Sequence, residues 1–155
     1  MPKFTTVRRV PLAAAQAYAI AADVASYKDF LPLVQRSVIR GQRRPEGTGE
    51  SFDAELAVAY EKLRLRESFI SRVTLEPDQL RVTARSSDGP VKALETVWQI
   101  RPLAPNTCEV SFIVDYTMRS LPLQLVVGSA FGYAVDRIMA AFEARGRQLY
   151  PTVSA

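Results

Sequence analysis

The chain has 155 residues, about the size of one domain, with 48% hydrophobic and 23% charged residues. It contains no histidine and a single cysteine, Cys108, which excludes an internal disulfide, a thiol-rich metal site and every Ser–His or Cys–His nucleophile arrangement. The net charge of +4 allows attraction to the phosphates of nucleic acid or anionic lipid and requires neither.

Lys3–Val10 reads as a short strand. Pro11 then opens a helix over "PLAAAQAYAIAADV", whose alanines favour helix and whose proline suits the first helical position. A second short helical turn is expected over Ser26–Leu31, with Ser26 as its cap. It runs into "YKDFLPLV", where Tyr27, Phe30, Leu31, Leu33 and Val34 surround the chain-breaking Pro32. Such breaks are usually polar and lie at the surface, so these apolar side chains need something to face.

Period-two segments follow. Phe52, Ala54, Leu56, Val58 and Tyr60 share one face of "SFDAELAVAY", against Asp53 and Glu55. Leu63, Leu65, Glu67, Phe69, Ser71, Val73 and Leu75 share the next face, opposed by Arg64, Arg66, Arg72 and Thr74. Leu80, Val82 and Ala84 alternate with Arg81, Thr83 and Arg85. Leu94, Thr96, Trp98 and Ile100 form one further face, and Cys108, Val110, Phe112, Val114, Tyr116 and Met118 another. This alternation marks antiparallel strands with one buried and one wet face. The breaks "RRPEGTG", "EPDQ", "SSDGP" and "PLAPNT" read as turns between consecutive hairpins, hence a meander.

A long helix closes the chain, with Leu125, Gly128, Gly132, Val135, Met139, Phe142, Gly146 and Leu149 recurring at steps of three and four on one face. No repeat or linker interrupts residues 1–155, read as one domain with its core over about 3–150. "MPKFTTVRRV" lacks the apolar core of a signal peptide, and no run reaches the ~18 apolar residues of a membrane span. The expected location is cytoplasmic, with any membrane contact peripheral, at the inner membrane.

This order gives an α+β helix-grip fold. A curved antiparallel sheet wraps a long C-terminal helix, with two short helices after the first strand. Such a sheet and helix do not pack flush everywhere. Small residues on the helix (Gly128, Ala130, Gly132 and Ala134) are expected to leave an apolar cavity for a hydrophobic small molecule. Phe52, Leu56, Phe69, Trp98, Phe112, Tyr116 and, on the helix, Phe131 are candidates for its walls, or else plain core. Tyr27, Phe30, Leu31 and Leu33 either line its entrance or plug the end of an ordinary core.

Glu67 is the irregularity, an inward carboxylate between Leu65 and Phe69. Either it anchors a ligand head group, or a β-bulge turns it outward, or it pairs internally with an arginine such as Arg8. Proton transfer by Glu67, Tyr60 and Tyr116 is the weaker alternative, because no second catalytic group is evident. No catalytic residue, metal or catalytic cofactor is assigned, and the chain reads as a binding protein rather than an enzyme.

Several stretches resemble the coenzyme Q-binding START-like family, within the polyketide cyclase and lipid-transport superfamily. "SYKDFLPLV" is similar to that family's "YPxFLPW", "ESFISRVTL" to "ESFTTRxTL", and "DGPVKALETVWQI" to "DGPFxxLxGxWxF". "CEVSFIVDY" and "MAAFEARGRQLY" fit the same template. Leu33 departs where the family often has tryptophan, and Val97 where a small residue or histidine is common. The resemblance implies a helix-grip fold and bound ubiquinone or a related isoprenoid lipid, carried to support respiration or ubiquinone synthesis. It also implies an alternative, because the family includes bacterial ribosome-association toxins. Arg36, Arg40, Arg43, Arg44, Arg64, Arg66 and Arg72 would then meet rRNA phosphates. Nothing in the sequence points to DNA.

Overall fold

The computed structural model describes residues 3–60 and 64–151. Strand β1 (Lys3–Val10) is followed by helix α1 (Ala14–Ala22), a 3-10 turn (Val24–Ser26) and the short helix α2 (Tyr27–Phe30). Six strands succeed them: β2 (Val34–Glu46), β3 (Gly49–Tyr60), β4 (Leu65–Glu76), β5 (Arg81–Ser86), β6 (Val91–Ala104) and β7 (Thr107–Met118). Helix α3 (Leu121–Leu149) ends the fold. One antiparallel sheet of seven strands runs in the order β1-β7-β6-β5-β4-β3-β2. The expected meander is thus β2 to β7, and β1 returns to pair with the last strand.

Alternating side chains account for the layering. On β7, Cys108, Val110, Phe112, Val114 and Tyr116 are buried while the residues between them are not. A cluster of aromatic rings joins β6, β7 and the second half of α3. There the Trp98 ring lies 5.0 Å from Phe142 and 4.3 Å from Phe112. Gly146 lets α3 pack closely on the segment before α1, because a Cβ there would fall 2.4 Å from Leu12 Cδ1.

The outer face is laced by cross-strand ion pairs. Arg40 holds Glu55, Arg72 lies 2.7 Å from Asp53, Arg85 2.6 Å from Glu95, and Arg101 3.1 Å from Glu109. Solvated pairs of this kind contribute only ~0–1 kcal/mol each.

Four expectations need correction. Helix α1 starts at Ala14 rather than Pro11, because Ala13 is extended and its N–H donates to Gln16 Oε1 at 3.1 Å, while Leu12 is drawn into the core. Ser26 holds the cap position of α2, but its side chain makes no capping bond. Strands β2 and β6 continue through Arg43–Glu46 and Arg101–Ala104, leaving only two residues at each hairpin tip. The stripe on α3 fails in its first half and at its last residue: Val135, Met139, Phe142 and Gly146 are buried, whereas Gly128, Gly132 and Leu125, 66% exposed, and the terminal Leu149 are not. The helix bends by 51° between Leu121–Ser129 and Phe131–Leu149, so a single straight-helix face cannot follow it. Gly128, Ser129 and Gly132, residues at which helices commonly kink, bracket the bend. The expected inward position of Leu63 lies outside the described residues.

Candidate functional site

The sheet is incomplete on one side. Strand β5 pairs with β4 only along Arg72–Glu76, so the first half of β4 has no β5 partner. The segment 87–90 partly plugs that gap. The Ile70 N–H donates to Asp88 Oδ2 at 2.9 Å, and the Ser86 hydroxyl donates to the Ile70 carbonyl at 2.7 Å. Gly89 adopts φ +59°, and a Cβ there would lie 3.0 Å from the Ser68 carbonyl. Its left-handed backbone and this close approach both favour glycine. Arg119 fastens the segment from beyond β7 by donating to the carbonyls of Gly89 and Ser87 at 2.9 and 2.5 Å.

Behind this plug, between the sheet and α3, lies a cavity of about 230 Å³. Its sheet wall comes from Val58, Leu65 and Phe69, then Leu94 and Thr96, then Phe112, Val114, Tyr116 and Met118. Val127, Phe131 and Ile138 of α3 form the opposite wall. Glu67, Pro90 and Val91 complete it. Val58, Glu67 and Pro90 also border an outer depression with Gln35, Arg66, Ser68 and Gly89, which places the mouth at the sheet gap.

Glu67 is half-buried at that mouth. The β3–β4 register runs unbroken through Val58↔Glu67, so no bulge turns it outward. Arg8 is not its partner either, since Arg8 lies 3.8 Å from Glu143. Among the described residues, the lining contains no lysine or arginine. Deeper in, Tyr116 is 2% exposed, and its ring stacks 4.8 Å from Phe131, which stacks 4.6 Å from Phe4. Its hydroxyl is buried without a hydrogen-bond partner among the described residues, and burial raises its pKa.

Five of the expected site residues therefore line the cavity: Glu67, Phe69, Phe112, Tyr116 and Phe131. The others lie elsewhere. Phe52 is fully buried core, and Trp98 packs behind Phe112, against Phe142. Leu56 packs against the core without reaching the void. The corner at Pro32 is not the entrance. Tyr27 and Leu31 are buried, and the Tyr27 hydroxyl donates to the Ala21 carbonyl. Phe30 instead borders a shallow groove with Pro32, Arg137, Ala140 and Ala141. Leu33 takes a left-handed φ of 73°, and its carbonyl accepts the Ala59 N–H at 2.8 Å. Tyr60, the third expected proton-transfer group, lies outside the lining and meets Tyr133 edge-on at 6.3 Å.

Period-two alternation puts Val58, Leu65, Leu94, Thr96, Val114 and Met118 on inward faces without distinguishing them from core. All lie toward the same end of the sheet, and the hairpin register supplies that signal. Pro90, Val127 and Ile138 carried no such signal, because their positions depend on the plug and on the helix bend.

A family model described as "Polyketide cyclase / dehydrase and lipid transport" matches residues 10–143. The chain is 29% identical over 150 residues to the ribosome association toxin RatA of Escherichia coli, covering 97% of this chain and 90% of that protein. It is 31% identical over 142 residues to the mitochondrial coenzyme Q-binding protein COQ10 of Drosophila melanogaster, covering 88% of this chain and 55% of that one, so the chain spans about half of that relative. Among solved structures, the Zhui aromatase/cyclase of Streptomyces sp. R1128 superposes with a TM-score of 0.83 at 15% identity, covering 99% of both chains, a likeness of fold alone.

Proposed function

The chain belongs to the polyketide cyclase / dehydrase and lipid transport family, and from that premise we propose that it carries a neutral hydrophobic ligand, ubiquinone or a related isoprenoid lipid. It acts as a carrier or chaperone supporting respiration or ubiquinone synthesis, without turning the ligand over. The observation that carries this reading is the cavity of about 230 Å³, walled by aliphatic and aromatic side chains, with no basic group among the described residues of its lining. Apolar walls with a few polar groups are the usual form of a small-molecule site. A volume this small suits the ring of a quinone, with its chain leaving through the mouth. The likeness to a protein named for coenzyme Q binding supports the ligand class. The site of action proposed is the cytoplasm, with peripheral contact at the inner membrane where such a ligand would be exchanged.

Mass spectrometry of an organic extract from protein purified without detergent tests this. A stoichiometric quinone or other isoprenoid is expected, and it should be absent from a Val114→Phe variant whose cavity is filled. No extractable isoprenoid, together with no binding of added quinone, would refute the carrier reading.

A second reading, ribosome association, is favoured by the near full-length likeness to RatA. Several of the arginines it would use already hold carboxylates, namely Arg40, Arg43 and Arg72. Contact with rRNA phosphates should weaken steeply with salt, so cosedimentation unchanged between low and high salt would contradict that mechanism.

A further inference from the structure

The two most exposed large apolar side chains among the described residues are Leu121 and Leu125, at 70% and 66%. They stand about one turn apart at the start of α3. Tyr133, half exposed, follows on the same helix. From Leu121 to Val135 the chain carries no charge, whereas the outward face of a surface helix is normally charged or polar. Its polar side chains bond within the protein. Gln124 Oε1 accepts the Met118 N–H at 2.7 Å, the Ser129 hydroxyl donates to the Val126 carbonyl at 2.8 Å, and the Tyr133 hydroxyl accepts from Arg137 at 2.9 Å. Cations frame this face. Arg119 precedes it, Arg137 follows beside Asp136, and Arg64 is exposed at the end of the β3–β4 hairpin, whose Tyr60 meets Tyr133. Anionic lipid headgroups complement such a frame. The Arg137 guanidinium also lies 5.4 Å over the Tyr133 ring, and tyrosine with a neighbouring cation suits a membrane–water boundary. Among the described residues no single helix is long and apolar enough to cross a membrane. The 51° bend instead lets the first half of α3 lie along a surface while Val135, Met139 and Phe142 keep the second half in the core.

We infer that the first half of α3 docks on an anionic lipid bilayer, with Leu121 and Leu125 inserted at the boundary between headgroups and acyl chains. The same stretch of helix turns Val127 and Phe131 into the cavity wall. Arg119, two residues before Leu121, holds the plug at Ser87 and Gly89, and Tyr60 pairs with the cavity residue Leu65. Docking there sets the cavity against the lipid from which its ligand is drawn. This deepens the carrier reading and rests on it for the purpose of docking.

Flotation of the whole chain with phosphatidylcholine vesicles, with and without phosphatidylglycerol, tests this. Wild type should bind the anionic vesicles, and more weakly as salt rises. Leu121→Ala combined with Leu125→Ala keeps helix propensity and lies outside the cavity lining. It should weaken vesicle binding by at least roughly 10-fold. Val7→Ala combined with Leu103→Ala removes apolar side chains exposed elsewhere and should leave binding unchanged. Both variants should keep the Tm shift given by a short-chain quinone, since none of the four residues lines the cavity. Wild type that stays off both kinds of vesicle, or equal flotation of the leucine variant, overturns the inference, and a retained quinone shift then leaves the carrier reading standing. Dimerisation seen by light scattering and lost in the leucine variant, without flotation, also overturns it and assigns the face to a second copy of the chain. Flotation as expected without any quinone shift in wild type supports the docking surface and removes the carrier reading.

Discussion

Filling the cavity should stabilise the protein where filling an ordinary core position would harm it. Val114 and Val110 lie on the same face of β7, are 3% and 0% exposed, and differ in that only Val114 borders the void. At ~24 cal/mol per Å³ for a closed void, a cavity of about 230 Å³ withholds at most about 5.5 kcal/mol of packing, because this one is open at its mouth. If the added ring of Val114→Phe occupies a quarter of it, about 1.4 kcal/mol returns. That corresponds to a Tm rise of roughly 3–6 °C for a chain of this size. Val110→Phe has no such space and should cost ~1–3 kcal/mol by overpacking. Urea and thermal unfolding of the two variants, each with and without a short-chain quinone, make the comparison. Val114→Phe should gain stability and lose the ligand-induced shift, while Val110→Phe loses stability and, where still folded, keeps that shift. Equal destabilisation by both would mean that Val114 faces packed atoms, and the cavity argument would fail.

Phe142→Ala removes a ring that is 1% exposed and stacked on Trp98, and should cost ~3–5 kcal/mol in the urea midpoint at unchanged m. Cys108, 0% exposed, has its thiol pKa raised by burial from 9.0 to about 11, so it should resist a thiol-reactive chromophore at pH 8 until the chain unfolds. The native state then holds that proton more tightly than the unfolded chain. Its contribution is complete below about pH 9 and is lost as pH rises toward 11; stability unchanged over that window in wild type but not in Cys108→Ala would contradict it. Arg72→Ala should cost no more than ~1 kcal/mol despite its 2.7 Å contact with Asp53, because the pair is solvated. A loss of several kcal/mol by chemical denaturation would show that the outer lattice acts as a network.

The fold was legible because alternation and hairpin breaks constrain one another. Once Phe112, Val114 and Tyr116 share a face and the turns are short, little besides a meander can bury them all. The site was legible only as a face. Trp98 and Phe112 are inward and adjacent, yet one is core and the other cavity wall, and the difference arises from how far α3 stands off the sheet. That distance depends on a 51° bend that steps of three and four do not reveal. The corner at Pro32 left two readings open, entrance or core plug, for a related reason. Tyr27 and Leu31 look like an exposed greasy loop in one dimension, but they pack under the 3-10 turn and α1, with the Tyr27 hydroxyl closed onto the Ala21 carbonyl.

The pairing of β1 with β7, from Lys3↔Asp115 to Val10↔Cys108, has a consequence during synthesis. The first strand to leave the ribosome has its partner roughly a hundred residues later, about 5–20 s at ordinary elongation rates. The hairpins from β2 onward can form locally in that interval. β1 and the apolar side of α1 must wait for β7 and α3, with their hydrophobic surfaces uncovered. A nascent chain stalled before β7 should therefore be aggregation-prone and a client for chaperones, whereas release of α3 should permit closure in one cooperative step.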